Sequence, residues 1–122
     1  MKKILLFLSV ILLFSACTPD TIPPNFTLTS PNDNQAYKNG DVINIKGEAT
    51  DNGHVHYILI VITDKTTGKQ VFADPLHLHD KEFTLDRKYT ISETASTTYN
   101  VNILITDAND NDITRDLTLK IN

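Results

Sequence analysis

Apolar residues recur at every second position along most of the chain after residue 25, which is the spacing of β-strands that bury one face. No stretch after that residue has the three-to-four-residue spacing of an amphipathic helix, and turn-forming residues fill the intervals. The pattern predicts an all-β domain of about seven short strands, at 26–30, 42–50, 54–63, 70–73, 82–91, 97–106 and 113–121.

Two of these segments have informative patterns. Strand 42–50 places Ile43, Ile45, Gly47 and Ala49 on one face, so that face is predicted to be buried. Strand 54–63 is apolar on both faces, which predicts a central strand covered on both sides.

Pro75 lacks a backbone N–H and is therefore predicted to end strand 70–73.

The first sixteen residues have a different pattern. Lys2 and Lys3 precede an apolar run from Ile4 to Phe14, and small residues then lead to the only cysteine of the chain, Cys17. The run is shorter than the roughly 20 residues of a spanning helix, so it is predicted to be a secretion signal.

The motif at residues 14–17, Phe-Ser-Ala-Cys, resembles a bacterial lipoprotein lipobox. The resemblance implies diacylglyceryl attachment to the Cys17 sulfur, cleavage before Cys17 and acylation of the freed amine. The chain then divides into a signal peptide (1–16), a lipidated cysteine with a proline-rich tether (17–25) and a sandwich domain (26–122). The residue after the cysteine is Thr18 rather than Asp, which resembles the sorting signal for the outer membrane. Location in the inner membrane is the alternative. The alternative is a cleaved signal peptide that leaves Cys17 as a free cysteine, or an uncleaved hydrophobic anchor.

Charge excludes one class of partner. The formal net charge is −4, and loss of Lys2 and Lys3 with the signal peptide makes it −6. Neither nucleic acid nor an anionic lipid headgroup layer is expected to bind such a surface. Attachment to the membrane is therefore expected through the lipid alone.

A second resemblance covers most of residues 26–122. Asp51-Asn52, the isoleucines at 58, 60 and 62, and the run from Tyr99 to Asp107 resemble the repeating pattern of bacterial Ig-like, fibronectin-type and cadherin-like modules in surface proteins. The resemblance implies an antiparallel Ig-like β-sandwich, a bulge between Val55 and Ile58, and a core position for each of the three isoleucines. Leu59 and Val61 would then face outward. Tyr99 would occupy the place of a tyrosine corner.

All four histidines occur in two His-x-His pairs, His54 with His56 and His77 with His79. Residues two apart in a strand share a face, so each pair can present two imidazoles to one side. If the pairs meet in space, they offer the nitrogen ligands of a zinc or copper site. The alternative is that these histidines are merely solvated residues at strand ends. A pH-responsive surface patch is a third possibility, between these two.

The run from Asp107 to Asp112 is the second candidate for chemistry. Its oxygen-bearing side chains suit a hard cation such as calcium, and residues 107–111 match the cadherin linker motif Asp-x-Asn-Asp-Asn. The calcium ligands would come from Asp107, Asn109, Asp110, Asn111 and Asp112. Plain turn chemistry is the alternative, since Asn and Asp tolerate the left-handed conformation.

No catalytic motif is present in the sequence, so the chain is not expected to be an enzyme. The leading hypothesis is a non-enzymatic lipoprotein of the cell envelope that presents an Ig-like binding or accessory module to an envelope protein, with no certain cofactor. The competing hypothesis is a zinc- or copper-binding envelope protein that uses the two His-x-His pairs.

Overall fold

Six β-strands make up the fold in a computed structural model that describes residues 17–122. The predicted signal peptide lies outside the described residues. The strands are β1 (Asn25–Ser30), β2 (Ala36–Tyr37), β3 (Val42–Asp64), β4 (Gln70–Thr90), β5 (Thr97–Asp107) and β6 (Asp112–Ile121). Within residues 17–122, no helix has the length and apolar character needed to cross a membrane.

β3 and β4 are much longer than the other strands because each runs through both layers of the sandwich. The three-stranded layer contains β1, residues 42–50 of β3 and residues 82–90 of β4. The five-stranded layer contains residues 70–80 of β4, residues 55–64 of β3, β5, β6 and β2. All pairs are antiparallel except that of β2 with β6. The sheet thus curls over itself and encloses one core.

The predicted all-β, Ig-like sandwich is confirmed, with a difference in how the strands are divided. Predicted strands 42–50 and 54–63 are one continuous strand, β3, and segments 70–73 and 82–91 lie in β4. The prediction that Pro75 ends its strand was wrong, since Pro75 lies within β4 opposite Leu59. Residues 70–80 form the edge of the five-stranded layer and pair only with β3, and an edge strand tolerates proline.

The core lies between the layers and contains the residues that the alternation predicted. Ile58, Ile60 and Ile62 are fully buried, whereas Leu59 and Val61 are half-buried on the outer face. The prediction that strand 54–63 is covered on both sides was therefore only half right. The strand is central, but nothing among the described residues fully covers its outer face. The other fully buried side chains include Ile43, Ile45, Ala49, Val55, Val101, Ile103, Ile105 and Leu119.

A β-bulge interrupts β3 where the resemblance implied one. The pairing of β3 with both β4 and β5 shifts register between Val55 and Tyr57. Val55 and Ile58 are both fully buried although they are three residues apart, an odd spacing that regular alternation does not permit. The extra residue changes which way the side chains of His56 and Tyr57 point.

Phe26 packs directly over the backbone of Gly47. A Cβ at position 47 would lie 2.6 Å from the carbonyl oxygen of Thr27 and 2.7 Å from a ring carbon of Phe26. Only glycine fits here, and the close approach lets β1 seal one side of the core.

Tyr99 does not form a tyrosine corner. Its side chain is fully buried, and its hydroxyl oxygen has no hydrogen-bond partner, whereas a tyrosine corner bonds that hydroxyl to the backbone. Burial, together with neighbouring Tyr89 and Glu93, raises the pKa of Tyr99 well above its ordinary value. The residue acts as a core side chain that packs against Tyr89, with ring centroids 6.3 Å apart.

Candidate functional site

Two histidines alternate with core residues on the edge strand. Leu76 and Leu78 of β4 are partly buried and pack against the core, so His77 and His79 are the exposed alternate positions. Their imidazoles therefore lie on the outer face of the five-stranded layer. The sequence predicted this shared face, although it did not predict that the segment belongs to a continuous strand.

His56 lies in the bulge of β3 and meets both of these imidazoles. Its ring centroid is 6.4 Å from that of His77 and 5.6 Å from that of His79. Tyr57 also contacts His77, with centroids 5.0 Å apart. His54 takes part in none of the ring contacts of residues 17–122, and its carbonyl oxygen accepts a hydrogen bond from Ala108. The fold thus brings three of the four predicted histidines together.

These three imidazoles do not form a closed metal site as they stand. Within the described part of the chain, they do not place three candidate nitrogen atoms within 4.8 Å of one another. Two imidazoles that bind one zinc ion at about 2.0 to 2.1 Å have ring centroids roughly 5 Å apart. The observed spacings are slightly longer than that value, and rotation about χ1 and χ2 of exposed side chains can shorten them.

A second cluster unites three carboxylates that are distant in sequence. Asp20 lies in the tether, Asp51 lies where β3 passes from one layer to the other, and Asp107 ends β5. One carboxylate oxygen of each lies within 4.8 Å of the others. In the sequence, Asp20 has no assigned role and Asp51 belongs only to the Ig-like pattern, because nothing there shows that the tether returns to the turn after β5.

Asp107 is the most deeply buried member, with 1% of its surface exposed. Its Oδ1 accepts hydrogen bonds from the backbone amides of Asn109 and Asn111, and its Oδ2 accepts one from the Asn111 side chain at 2.8 Å. Burial alone would raise the pKa of Asp107, but these hydrogen bonds outweigh it and hold the pKa below its ordinary value. Asp107 is therefore a carboxylate at neutral pH.

The remaining residues of the predicted calcium run have other surroundings. Asp112 begins β6, and its carboxylate accepts a hydrogen bond from the hydroxyl of Thr106. Asp110 is exposed in the turn with φ of 64°, the left-handed conformation. The structure groups Asp107 with Asp20 and Asp51, and it leaves Asp110 and Asp112 outside that group.

Apolar side chains also cross the outer face of the five-stranded layer. Leu59 of β3 lies opposite Pro75 of β4 on one side and Leu104 of β5 on the other. Val61 lies two residues further along, opposite Ala73. Because paired residues share a face, these five side chains form one surface, which we call the outer apolar strip. The resemblance implied that Leu59 and Val61 face outward, but it did not identify their partners in this strip.

Comparisons with known proteins agree with this architecture. A family model described as "Bacterial Ig domain" matches residues 24–115. No curated protein matches the chain in sequence. Among solved structures, the chain is similar to a Niemann-Pick type C2 protein from Japanese carpenter ant, with a TM-score of 0.51 and 12% identity over 87% of this chain and 96% of that chain. At that identity the likeness concerns the fold alone.

Proposed function

Because this chain belongs to the bacterial Ig domain family, we propose that it is a non-enzymatic lipoprotein of the cell envelope, anchored through Cys17, that presents its sandwich to a protein partner. Domains of this family are typically non-enzymatic modules. The outer apolar strip is the observation that carries the binding role. It is centred on the outer face of a central strand, where nothing among the described residues fully covers it.

Several features support the anchor. Cys17 is exposed and is the only cysteine of the chain, so it has no partner for a disulfide within the chain. Seven residues, 18–24, separate it from the first residue of β1. Pro19, Pro23 and Pro24 make this tether stiff and short, so the anchored domain would stay close to the bilayer surface. Thr18 favours the outer membrane as the location.

Leu104 lies at the β5 side of the outer apolar strip, next to Leu59, and offers a direct test of the binding role. A photocrosslinking amino acid at position 104, in cells that produce the protein, is expected to give a discrete crosslinked species because the partner covers the strip. Thr84 is a matched control, since it is exposed on the outer face of the three-stranded layer. Crosslinking from neither position, or equally from both, would argue against the strip as the binding surface.

Zinc or copper binding through the histidines is a second candidate function. Its support is the approach of His56 to His77 and His79 across two neighbouring strands, with centroids 6.4 and 5.6 Å apart respectively. Neutral imidazoles are good ligands for both metals. The site would use three of the four predicted histidines and take its fourth ligand from water.

A zinc titration tests this candidate with a matched histidine control. Zn²⁺ should raise the thermal unfolding midpoint of the chain at pH 7.5, and by less at pH 5.5, because protonated histidines cannot bind the metal. His79→Ala should abolish the rise, whereas His54→Ala should retain it. If both variants lose the zinc-induced rise, or if both keep it, the result would contradict a site formed by these three imidazoles.

A further inference from the structure

We propose that two copies of this chain associate through β4, with residues 82–90 of each copy paired antiparallel across a two-fold axis. Within residues 17–122, this segment pairs only with β3. The backbone N–H and C=O groups on its other side therefore lack a strand partner, and such an edge is a template for another strand. Pairing would join the three-stranded layers of the two copies into one continuous sheet.

The other edges in the described part of the chain are shorter or interrupted. Residues 70–80 of β4 contain Pro75, whose missing N–H breaks a hydrogen-bond ladder. β1 has six residues and directly follows two prolines. The end of β6 is covered by β2. Residues 82–90 are thus the longest edge that is open to a further strand.

Two charges on this edge have no counterpart within the chain. The exposed side chains on the outer face of the segment are those of Glu82, Thr84, Asp86 and Lys88. Glu82 lies opposite Thr50 of β3, which is neutral. Lys88 lies opposite Asn44, which is neutral as well. Neither Glu82 nor Lys88 takes part in the salt bridge found among residues 17–122, so both charges are free to pair with a second molecule.

One register of the two strands pairs these charges. With the two-fold axis at Leu85, Glu82 of each copy lies opposite Lys88 of the other, and two ion pairs form. On the inner face, the same register places Phe83 opposite Arg87 of the second copy, where a cation–π contact can form. The side chain of Arg87 is 37% exposed, so it can reach an added strand while it keeps its salt bridge.

The neighbouring registers bring like charges together. Side chains keep their face only when the pairing shifts by two residues, which moves the axis by one. An axis at Thr84 would place Glu82 opposite Asp86. It would also place Lys81 opposite Arg87. An axis at Asp86 would bring the two copies of that carboxylate together. Like charges directly opposite are destabilising, so the edge favours one register and disfavours those on either side.

Pairing of β4 would leave the outer apolar strip free. The paired segment belongs to the three-stranded layer, whereas the strip lies on the outer face of the five-stranded layer. A dimer would therefore present two strips, and two-site attachment strengthens binding without any new contact. This consequence rests on the function proposed above, but strand pairing itself does not. A monomeric protein would leave the binding role of the strip untouched.

Sedimentation velocity of residues 17–122 carrying Cys17→Ser tests the pairing, since this chain contains the whole core and cannot form a disulfide. The parent should form a dimer as its concentration rises. Glu82→Lys and Lys88→Glu should each raise the Kd of the dimer by about tenfold or more, because each turns both ion pairs into like-charge pairs. Lys120→Glu is the matched control, since it reverses an exposed charge on β6 and should dimerise like the parent.

A mixture of the two charge-reversal variants tests the register itself. When Glu82→Lys pairs with Lys88→Glu, opposite charges again face each other at both positions, so the equimolar mixture should dimerise like the parent. A monomeric parent, single variants that dimerise as the parent does, a mixture that stays monomeric, or loss of the dimer in Lys120→Glu would each overturn the proposal.

Amide hydrogen exchange distinguishes strand pairing from association through another surface. The amides of residues 82–90 that point away from β3 should exchange more slowly in the parent dimer than in monomeric Glu82→Lys. The amides of β1 should exchange equally in both. A dimer that leaves the 82–90 amides unprotected would contradict pairing through β4.

Discussion

Replacing Ile60 with alanine is expected to lower the free energy of unfolding by about 3 to 4 kcal/mol. Ile60 is fully buried in the part of β3 that belongs to the five-stranded layer, opposite Ile103 of β5, with strands on both sides. The substitution removes three carbon atoms from a packed core, and the surrounding strands cannot move to fill the cavity. A domain of this size has a total stability of about 5 to 15 kcal/mol, so the loss is a large fraction of it.

The adjacent residue provides the control for that prediction. Val61 is half-buried on the outer face, so Val61→Ala should cost about 1 kcal/mol or less. Urea unfolding of both variants, on residues 17–122 with Cys17→Ser, measures the difference directly. Similar losses in the two variants would show that both faces of β3 are covered, and the outer apolar strip would then be no free surface.

The strand alternation could be predicted because it depends on local chemistry. Isoleucine at every second position of β3 and β5 requires one buried face, and the structure buries those residues. The continuity of β3 and β4 through both layers could not be predicted in the same way. Residues 51–54 are polar and contain Gly53, which is the pattern of a loop, and yet they continue the strand. Pairing partners, which sequence alone does not reveal, decide between the two outcomes.

The candidate sites show the same limit. The shared face of His77 and His79 follows from their spacing in a strand, but the approach of His56 depends on the register of β3 against β4. The calcium motif predicted ligands within one turn, whereas the structure places Asp107 beside Asp20, 87 residues earlier. Only the return of the tether to the end of β5 brings them together, and no periodic pattern encodes that return.

Cys17→Ser is expected to have the largest effect on the protein in cells, which is complete loss of lipid attachment. The lipid of the proposed anchor would form a thioether, and Cys17 offers the only thiol that can form it. Two or three acyl chains anchor a protein stably, because each buried CH₂ contributes about 0.8 kcal/mol, whereas one chain binds only reversibly. The variant should therefore leave the membrane fraction, while its fold stays intact because Cys17 is exposed and outside the core.

Metabolic labelling with radioactive palmitate is the most direct test of a lipid-anchored binding module. The parent protein should carry the label and sediment with membranes. Cys17→Ser should carry none, while an exposed serine substitution elsewhere in the tether, Thr21→Ser, should label like the parent. Label that persists in Cys17→Ser, or is absent from the parent, would contradict the lipoprotein assignment.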